Sequence, residues 1–112
     1  VYNIYFIMAT KLAILQGQEQ VIADIKELVD EGKPVGYLFK NPHRISAEKD
    51  FLAESSEDRK IHVTLAPWIL LSADSEVLIP KNQVVTIVEP IDSVKEMYSE
   101  KLNGSDGIST DK

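Results

Sequence analysis

Short runs of β-branched and other apolar residues, separated by turn signals, make up most of this chain. Six of these runs predict strands, over residues 11–16, 21–29, 35–39, 61–65, 76–79 and 83–88. Gly17 and the 30–33 segment predict two hairpin turns. Asn41-Pro42 predicts the end of the third strand, because proline lacks the N–H donor that a strand ladder uses. The pattern therefore indicates an all-β core.

The segment over residues 18–31 fits two kinds of element. On helical spacing alone we favour an amphipathic helix, since one stripe would carry Val21, Ile22, Ile25, Leu28 and Val29. The alternation of Val21, Ala23 and Ile25 fits instead a strand that is buried on one side. The apolar pattern by itself leaves both interpretations open.

A C-terminal helix is predicted over residues 92–103. Apolar residues recur at helical spacing after Pro90, namely Ile91, Val94, Met97, Tyr98 and Leu102. Ser93 and Glu96 form a capping-box pattern, and Asn103-Gly104 predicts the helix end. We expect Tyr98 to seal the helix against the sheet, while the apolar stripe packs on the open end of the sheet or on a neighbouring subunit.

Three segments do not follow the pattern of short apolar runs separated by turns. Residues 1–8 are apolar and aromatic, and either precede a start at Met8 or add an edge strand. The charged residues 47–60 predict a long loop or a short helix. The tail over residues 105–112 is small and polar, which predicts flexibility.

The composition predicts one domain and excludes several classes of function. The chain has 112 residues, of which 44% are hydrophobic and 27% charged, which is typical of a single globular domain. Its formal net charge of -6 disfavours broad affinity for nucleic acid or anionic membranes. The absence of cysteine removes disulfides and thiolate sites and fits a cytoplasmic location. No apolar run is long enough to span a membrane, so we expect no membrane partner.

Two sequence features resemble the Sm-like protein family, including the Sm-like proteins of marine cyanophages. The first is Leu12-x-x-Leu15-x-Gly17 leading into residues 21–29, and the second is the run EVLIPKNQVVTI over residues 76–87. The resemblance implies a five-stranded, strongly bent open barrel over residues 9–90, followed by a helix over 91–104. It also implies a strand rather than a helix over residues 19–29. Pro80 and Lys81 depart from the Ile-Arg-Gly turn of the family.

The resemblance also implies a homo-oligomeric ring, which we expect to contain five to seven subunits. In Sm-like proteins the fourth strand of one subunit pairs with the fifth strand of the next, because exposed strand edges recruit partners. The interface candidates are Val77, Ile79, Val84, Val85, Thr86, Ile87, Val88 and Trp68. The alternative is that residues 84–88 form a central strand of a monomeric sheet.

Single-stranded RNA is the ligand that the resemblance implies, bound near the pore. Phosphate contacts need cations, and base contacts need polar or planar groups. The candidates are Lys33 in the loop after the second strand, Lys81 and Asn82 in the turn before the last strand, and the patch Asn41, His43 and Arg44.

Nothing in the sequence predicts catalysis, a metal or a cofactor. His43 and His62 lie nineteen positions apart without metal-ligand spacing, so we expect surface histidines. Ser72, Asp74 and Ser75 fit turn chemistry better than a nucleophile site. We therefore expect a non-enzymatic ring of phage origin, acting in the host cytoplasm. It either binds RNA or serves as a structural or protein-interaction ring.

Overall fold

The computed structural model describes residues 3–49 and 61–105 as a mostly antiparallel β-sheet with one short C-terminal helix. The strands are β1 (Asn3–Leu15), β2 (Gln20–Asp30), β3 (Lys33–Lys49), β4 (Ile61–Pro67), β5 (Glu76–Pro80) and β6 (Val84–Val88). Helix α1 (Asp92–Glu100) continues into a π-helical turn (Lys101–Ser105), and a 3-10 turn (Lys81–Gln83) joins β5 to β6. The prediction of an all-β fold is confirmed at this level.

All six strands belong to one sheet, in which β6 lies at one end and β4 and β5 lie at the other, one after the other along β3. The strand order is β4-β3-β2-β1-β6, and β5 pairs with β3 beside β4. Only the three residues of the 3-10 turn separate β5 from β6 along the chain. The sheet must therefore roll strongly, because β5 and β6 lie at opposite ends of it and yet are joined by this short turn.

The inner face of the rolled sheet carries the main hydrophobic core. Side chains from four strands are buried there, namely Ala13, Leu15, Val21, Ala23, Ile25, Phe39 and Ile79. Val84 and Ile87 of β6 pack on this cluster from the other end of the sheet, together with Trp68. The core thus connects both terminal strands to the centre of the sheet.

Helix α1 covers the outer face with a second, smaller cluster. Tyr98 is buried there with Ile22 of β2 and Leu65 of β4. Val94, Met97 and Leu102 pack around them, so the apolar stripe of the helix finds its partner within its own chain. Tyr98 seals the helix against the sheet, as the sequence predicts.

The segment that the periodicity alone assigns to a helix is strand β2. Its residues Val21, Ile22 and Ala23 are consecutive and all buried. Val21 and Ala23 face the inner core, whereas Ile22 faces α1. A strand covered on both faces loses the simple alternation of apolar and polar residues, and this explains why the pattern is ambiguous.

Strand β3 does not end at Asn41-Pro42, so that prediction is wrong. The backbone of Asn41 has a φ of 52°, in the left-handed region that asparagine tolerates. The register against β2 shifts at this point, since Ile22 pairs with His43 while Asp24 pairs with Lys40. The Asn-Pro pair therefore forms a β-bulge, where proline is allowed, and the strand continues to Lys49.

The predicted ends of the helix are also corrected. Ile91 is the N-cap and makes no side-chain capping bond, so Ser93 lies inside the first turn and the capping box is absent. The α-helix ends at Glu100, and the helical backbone continues through Gly104 in the π turn, so Asn103-Gly104 does not stop it.

Parts of the three remaining segments lie within described residues. Residues 3–8 belong to β1, as an extension of that strand rather than a separate one. Residues 47–49 close β3 rather than opening a loop or helix. The remainder of the 47–60 prediction, and the tail beyond residue 105, lie outside the described residues.

Gly36 is predicted to be essential for the junction between β3 and β5. A Cβ atom at this position would lie 2.9 Å from the carbonyl oxygen of Ile79, closer than real contacts allow. Gly36→Ala should therefore lower the free energy of unfolding by about 1–3 kcal/mol, measured by denaturant titration. Gly17→Ala is the control, because a Cβ there meets no atom within 4 Å. Equal stability of the two variants would contradict the close approach.

Candidate functional site

Strand β5 pairs on one side only. Its register against β3 runs from Gly36 opposite Pro80 to Lys40 opposite Glu76. Among the described residues no strand pairs with its other edge. Ile79 is buried in the core, whereas Leu78 is 56% exposed. The strand is thus anchored from one side and presents unpaired backbone groups and an apolar side chain on the other.

Strand β6, at the other end of the sheet, also pairs on one side only. It pairs with β1, from Leu12 opposite Val88 to Leu15 opposite Val84. Val84 and Ile87 pack on the core. Val85, which is 58% exposed, and Val88 face solvent. No described strand pairs with the outer edge of β6.

The 3-10 turn fixes the two open edges relative to each other. The backbone N–H of Gln16 donates to the carbonyl oxygen of Gln83 at 2.9 Å. The Gln16 side chain donates to the carbonyl oxygen of Asn82 at 3.2 Å. These two hydrogen bonds hold the turn between β5 and β6 against the end of β1.

An ion triad holds the chain just after β6. Glu89 accepts hydrogen bonds from Lys11 of β1, at 2.7 Å, and from Lys95 of α1. The hydrogen bond from Lys11, followed by that from Lys95, lowers the pKa of Glu89 to about 2. Since the Glu89 side chain is exposed to solvent, we expect the triad to add little to the free energy of unfolding, although it links β1 and α1 to the segment after β6.

Three of the RNA candidates lie toward the same end of the sheet. Lys33 begins β3, and Lys81 and Asn82 follow the Pro80 position that pairs with Gly36. All three side chains are exposed. Asp30 lies opposite Lys33, and one of its carboxylate oxygens is buried without a hydrogen-bond partner among the described residues. Negative charge therefore sits next to this small group of cations.

The other RNA candidates lie at the bulge of β3. His43 is only 8% exposed, so the expectation of a surface histidine is wrong at this position, while His62 is exposed. A ring nitrogen of His43 lies 2.9 Å from the carbonyl oxygen of Asn41, and the ring meets Tyr98 edge to face at 5.6 Å. The continuation of β3 past the bulge buries this side chain under α1. Arg44 is exposed and Asn41 half-buried.

The interface candidates divide into exposed and core residues. Val85, Thr86 and Val88 are exposed. Ile79 is buried, and four others are partly buried against the core, namely Val77, Val84, Ile87 and Trp68. The indole N–H of Trp68 points toward a carboxylate oxygen of Glu19, at 3.4 Å. The buried candidates attach β5 and β6 to the core, and the exposed candidates are available for contact with a partner.

Sequence reasoning missed the loop over residues 69–74. Ile69, Leu70 and Leu71 are all exposed, in a region where the sequence run APWILL suggests a buried segment. The sequence does contain one sign of a loop here, the turn-forming stretch SADS that follows directly. In the structure the N–H of Asp74 donates to the Ser72 hydroxyl at 3.0 Å.

Tyr98 connects the bulge of β3 to α1. Its hydroxyl donates to the carbonyl oxygens of Lys40, at 3.1 Å, and Asn41, at 3.0 Å. Burial, and then the nearby Asp24 carboxylate, raise the pKa of Tyr98 above its ordinary value of 10.0. The tyrosine is thus held neutral as a hydrogen-bond donor.

Within the described parts of the chain, the side chains do not form a metal site. No group of three or more His, Cys, Asp or Glu side chains is placed to hold an ion there. Over the same residues, no helix has the length and apolarity needed to cross a membrane.

A comparison with protein-family models gives a match to most of the chain. The model of a family of unknown function, DUF6561, matches residues 8–103, which is most of the chain. A search of curated proteins finds no match.

Removal of the Tyr98 hydroxyl should weaken the attachment of α1. Tyr98→Phe leaves two carbonyl oxygens without this donor and should cost about 1–2 kcal/mol of unfolding free energy at neutral pH. Tyr37→Phe is the control, since Tyr37 packs on the main core and its hydroxyl takes no part in the Tyr98 hydrogen bonds to Lys40 and Asn41. Equal losses in the two variants would contradict the role of the hydroxyl.

The same variant should change the response to alkaline pH. Above pH 10 the unfolded Tyr98 ionises, whereas the folded residue stays protonated because its pKa is raised. Wild-type stability should therefore fall as the pH rises above 10, and the fall should be less steep in Tyr98→Phe. Identical slopes in a denaturant series at several alkaline pH values would refute the raised pKa.

Proposed function

We propose that this chain, which belongs to the DUF6561 family, is a non-catalytic subunit of a homo-oligomeric ring. In this assembly the open edge of β5 in one copy pairs with the open edge of β6 in the next. The observation that carries the proposal is that β5 and β6, which lie at opposite ends of the sheet, each have one paired edge and, among the described residues, one open edge. Exposed apolar side chains accompany both open edges.

The composition of the open edge of β6 favours association, whereas β5 carries Glu76 and Pro80 at its two ends. Unpaired N–H and C=O groups form a template for another strand, and proteins that remain monomeric commonly protect such edges with charge or proline. Strand β6, with the sequence VVTIV, contains neither. Pairing between copies would satisfy the backbone groups and bury Leu78 and Val85 in the same step.

Unequal edges favour a head-to-tail contact. Because β5 and β6 are different strands, pairing one with the other leaves a free β5 at one end of a dimer and a free β6 at the other. Further copies then add until the rotation closes the ring. The 3-10 turn supports closure, since a fixed angle between the edges gives every contact the same rotation. Five to seven subunits is the number that the Sm-like resemblance implies.

The strand order supports an Sm-like barrel as the form of the subunit. The path β6-β1-β2-β3-β5, with a 3-10 turn between its terminal strands, corresponds to the five bent strands that the resemblance implies. Strand β4 would then be an addition that extends β3 beyond the barrel.

Single-stranded RNA is a second candidate function. It is favoured by the register of β3, which brings Lys33 toward the same end of the sheet as Lys81 and Asn82. A ring would repeat these cations around one opening and so concentrate them. The net charge of -6 and the Asp30 carboxylate act against binding, so we rank RNA binding below assembly.

The edge contact predicts a specific pattern of complementation. Leu78→Lys on β5 and Val85→Lys on β6 should each reduce the assembly to monomers of 12.5 kDa, because each places a charge on one edge. Each variant keeps the opposite edge intact. An equimolar mixture should therefore form a dimer that cannot grow, which light scattering with gel filtration would detect.

Val35→Lys is the matched control for these variants. Val35 is also an exposed valine, but it lies on β3, outside both open edges. This variant should retain the wild-type mass. A monomeric wild-type chain would refute the ring, and dimers formed by one edge variant alone would refute the head-to-tail arrangement.

RNA binding predicts a charge-dependent mobility shift with oligo-U or oligo-A. Lys81→Ala should weaken binding and make the plot of log affinity against log salt concentration shallower, by about 0.7 for each phosphate that the lysine neutralises. Arg44→Ala should have little effect, because Arg44 lies at the bulge rather than at the end that carries Lys81. The absence of a shift at low salt would remove the RNA candidate and leave the assembly untouched.

A further inference from the structure

The 69–74 loop exposes three consecutive large apolar residues. Leu71 is fully exposed, Leu70 is 72% exposed, and Ile69 precedes them. Single exposed leucines are common on protein surfaces, but a run of three at the tip of a loop suggests a contact surface. Within the described residues, nothing covers the Leu71 side chain.

The loop leaves the sheet at the edge that carries β5. Strands β4 and β5 pair with the same side of β3, one after the other. The N–H of Trp68 donates to the carbonyl oxygen of Pro42, and the N–H of Asn41 donates to that of Ser75, so the ladder continues to both sides of the loop. The 69–74 loop is therefore an excursion from one nearly continuous edge strand, with a base fixed by two hydrogen bonds.

The register of the proposed edge contact identifies what the loop would meet. Strands β5 and β6 contain five residues each, and every strand pair in the described sheet is antiparallel. Antiparallel pairing of the full length of β5 with β6 of the next copy would bring Val88 of one copy opposite Glu76 of the other. The chain that precedes Glu76 is the loop, and the chain that follows Val88 leads to Ile91. Both Val88 and Ile91 are exposed apolar residues.

The strand-to-strand contact is short, which favours a second contact between the loop of one copy and the end of β6 in the next. A five-residue strand is about 17 Å long, whereas a stable interface buries about 800 Å² on each partner. Side chains beyond the ends of the paired strands must supply much of that area. In this pairing, the leucines of the loop in one copy and the Val88–Ile91 segment of the next copy lie at the same end of the paired strands. Both surfaces present apolar side chains.

We propose that the 69–74 loop clasps the neighbouring copy by packing Leu70 and Leu71 on its Val88 and Ile91. The inference rests on the proposed ring, because it uses the pairing of β5 with β6. It adds a second contact, whose partner is another copy of this chain. Backbone pairing between strands does not depend on sequence. The loop contact would add specificity, because it requires a neighbour whose β6 ends in apolar residues.

The absence of cysteine allows a clean cross-linking test. The double variant Leu71→Cys/Ile91→Cys should give, under mild oxidation, a ladder of covalent multiples of 12.5 kDa on a non-reducing gel. Each single variant should remain a single chain. Leu71→Cys/Val35→Cys is the matched control and should also give no ladder, because Val35 lies away from the end of β6.

The mass of the reduced proteins separates the failure of this inference from the failure of the ring. An oligomer that gives no ladder would overturn the clasp alone, and a monomer would overturn both. Cross-linking by Leu71→Cys alone would mean that loops meet loops, which also overturns the clasp. Independently, Leu71→Asp should raise the concentration at which half of the assembly dissociates by about tenfold, and an unchanged value would overturn the clasp.

Discussion

The left-handed backbone of Asn41 is the constraint on which the rest of the structure depends. It creates the bulge that lets β3 run from Lys33 to Lys49, so that one strand supports β2 on one side and both β4 and β5 on the other. The same bulge presents the carbonyl oxygens of Lys40 and Asn41 to the Tyr98 hydroxyl. Helix α1 and both ends of the segment between β4 and β5 are hydrogen-bonded at this bulge, through Lys40, Asn41 and Pro42.

The rolled sheet explains why the terminal strands are rigid although they are open. Ile79 of β5 and Val84 and Ile87 of β6 pack on the same core as β1, β2 and β3. The inner side chains thus fix each strand, while the outer backbone edge of each has no partner among the described strands. This combination favours pairing between copies, because little conformational entropy is lost when a pre-formed edge meets its partner.

The sequence predicts much of the strand content, but not the features that depend on distant contacts. Periodicity is ambiguous for β2 because Ile22 is covered by a helix that lies about 70 residues further along the chain. Asn41-Pro42 is typical of a strand end, and only the pairing with β2 and β4 makes it a bulge. Exposure of Leu70 and Leu71 also depends on tertiary structure, since the local pattern is that of a buried run. Chain order suffices to predict Lys33 and Lys81 as turn cations, but not the burial of His43.

Hydrogen exchange of the unmodified protein tests the central claim most directly. In an assembly, the amide hydrogens of residues 76–79 and 84–88 should be protected whichever edge they face, and dilution should release those on the outer edges of both strands together. Pairing between copies makes this protection depend on protein concentration. If the outer amides exchange as fast as those of the exposed loops at every concentration, the two edges are not joined between copies.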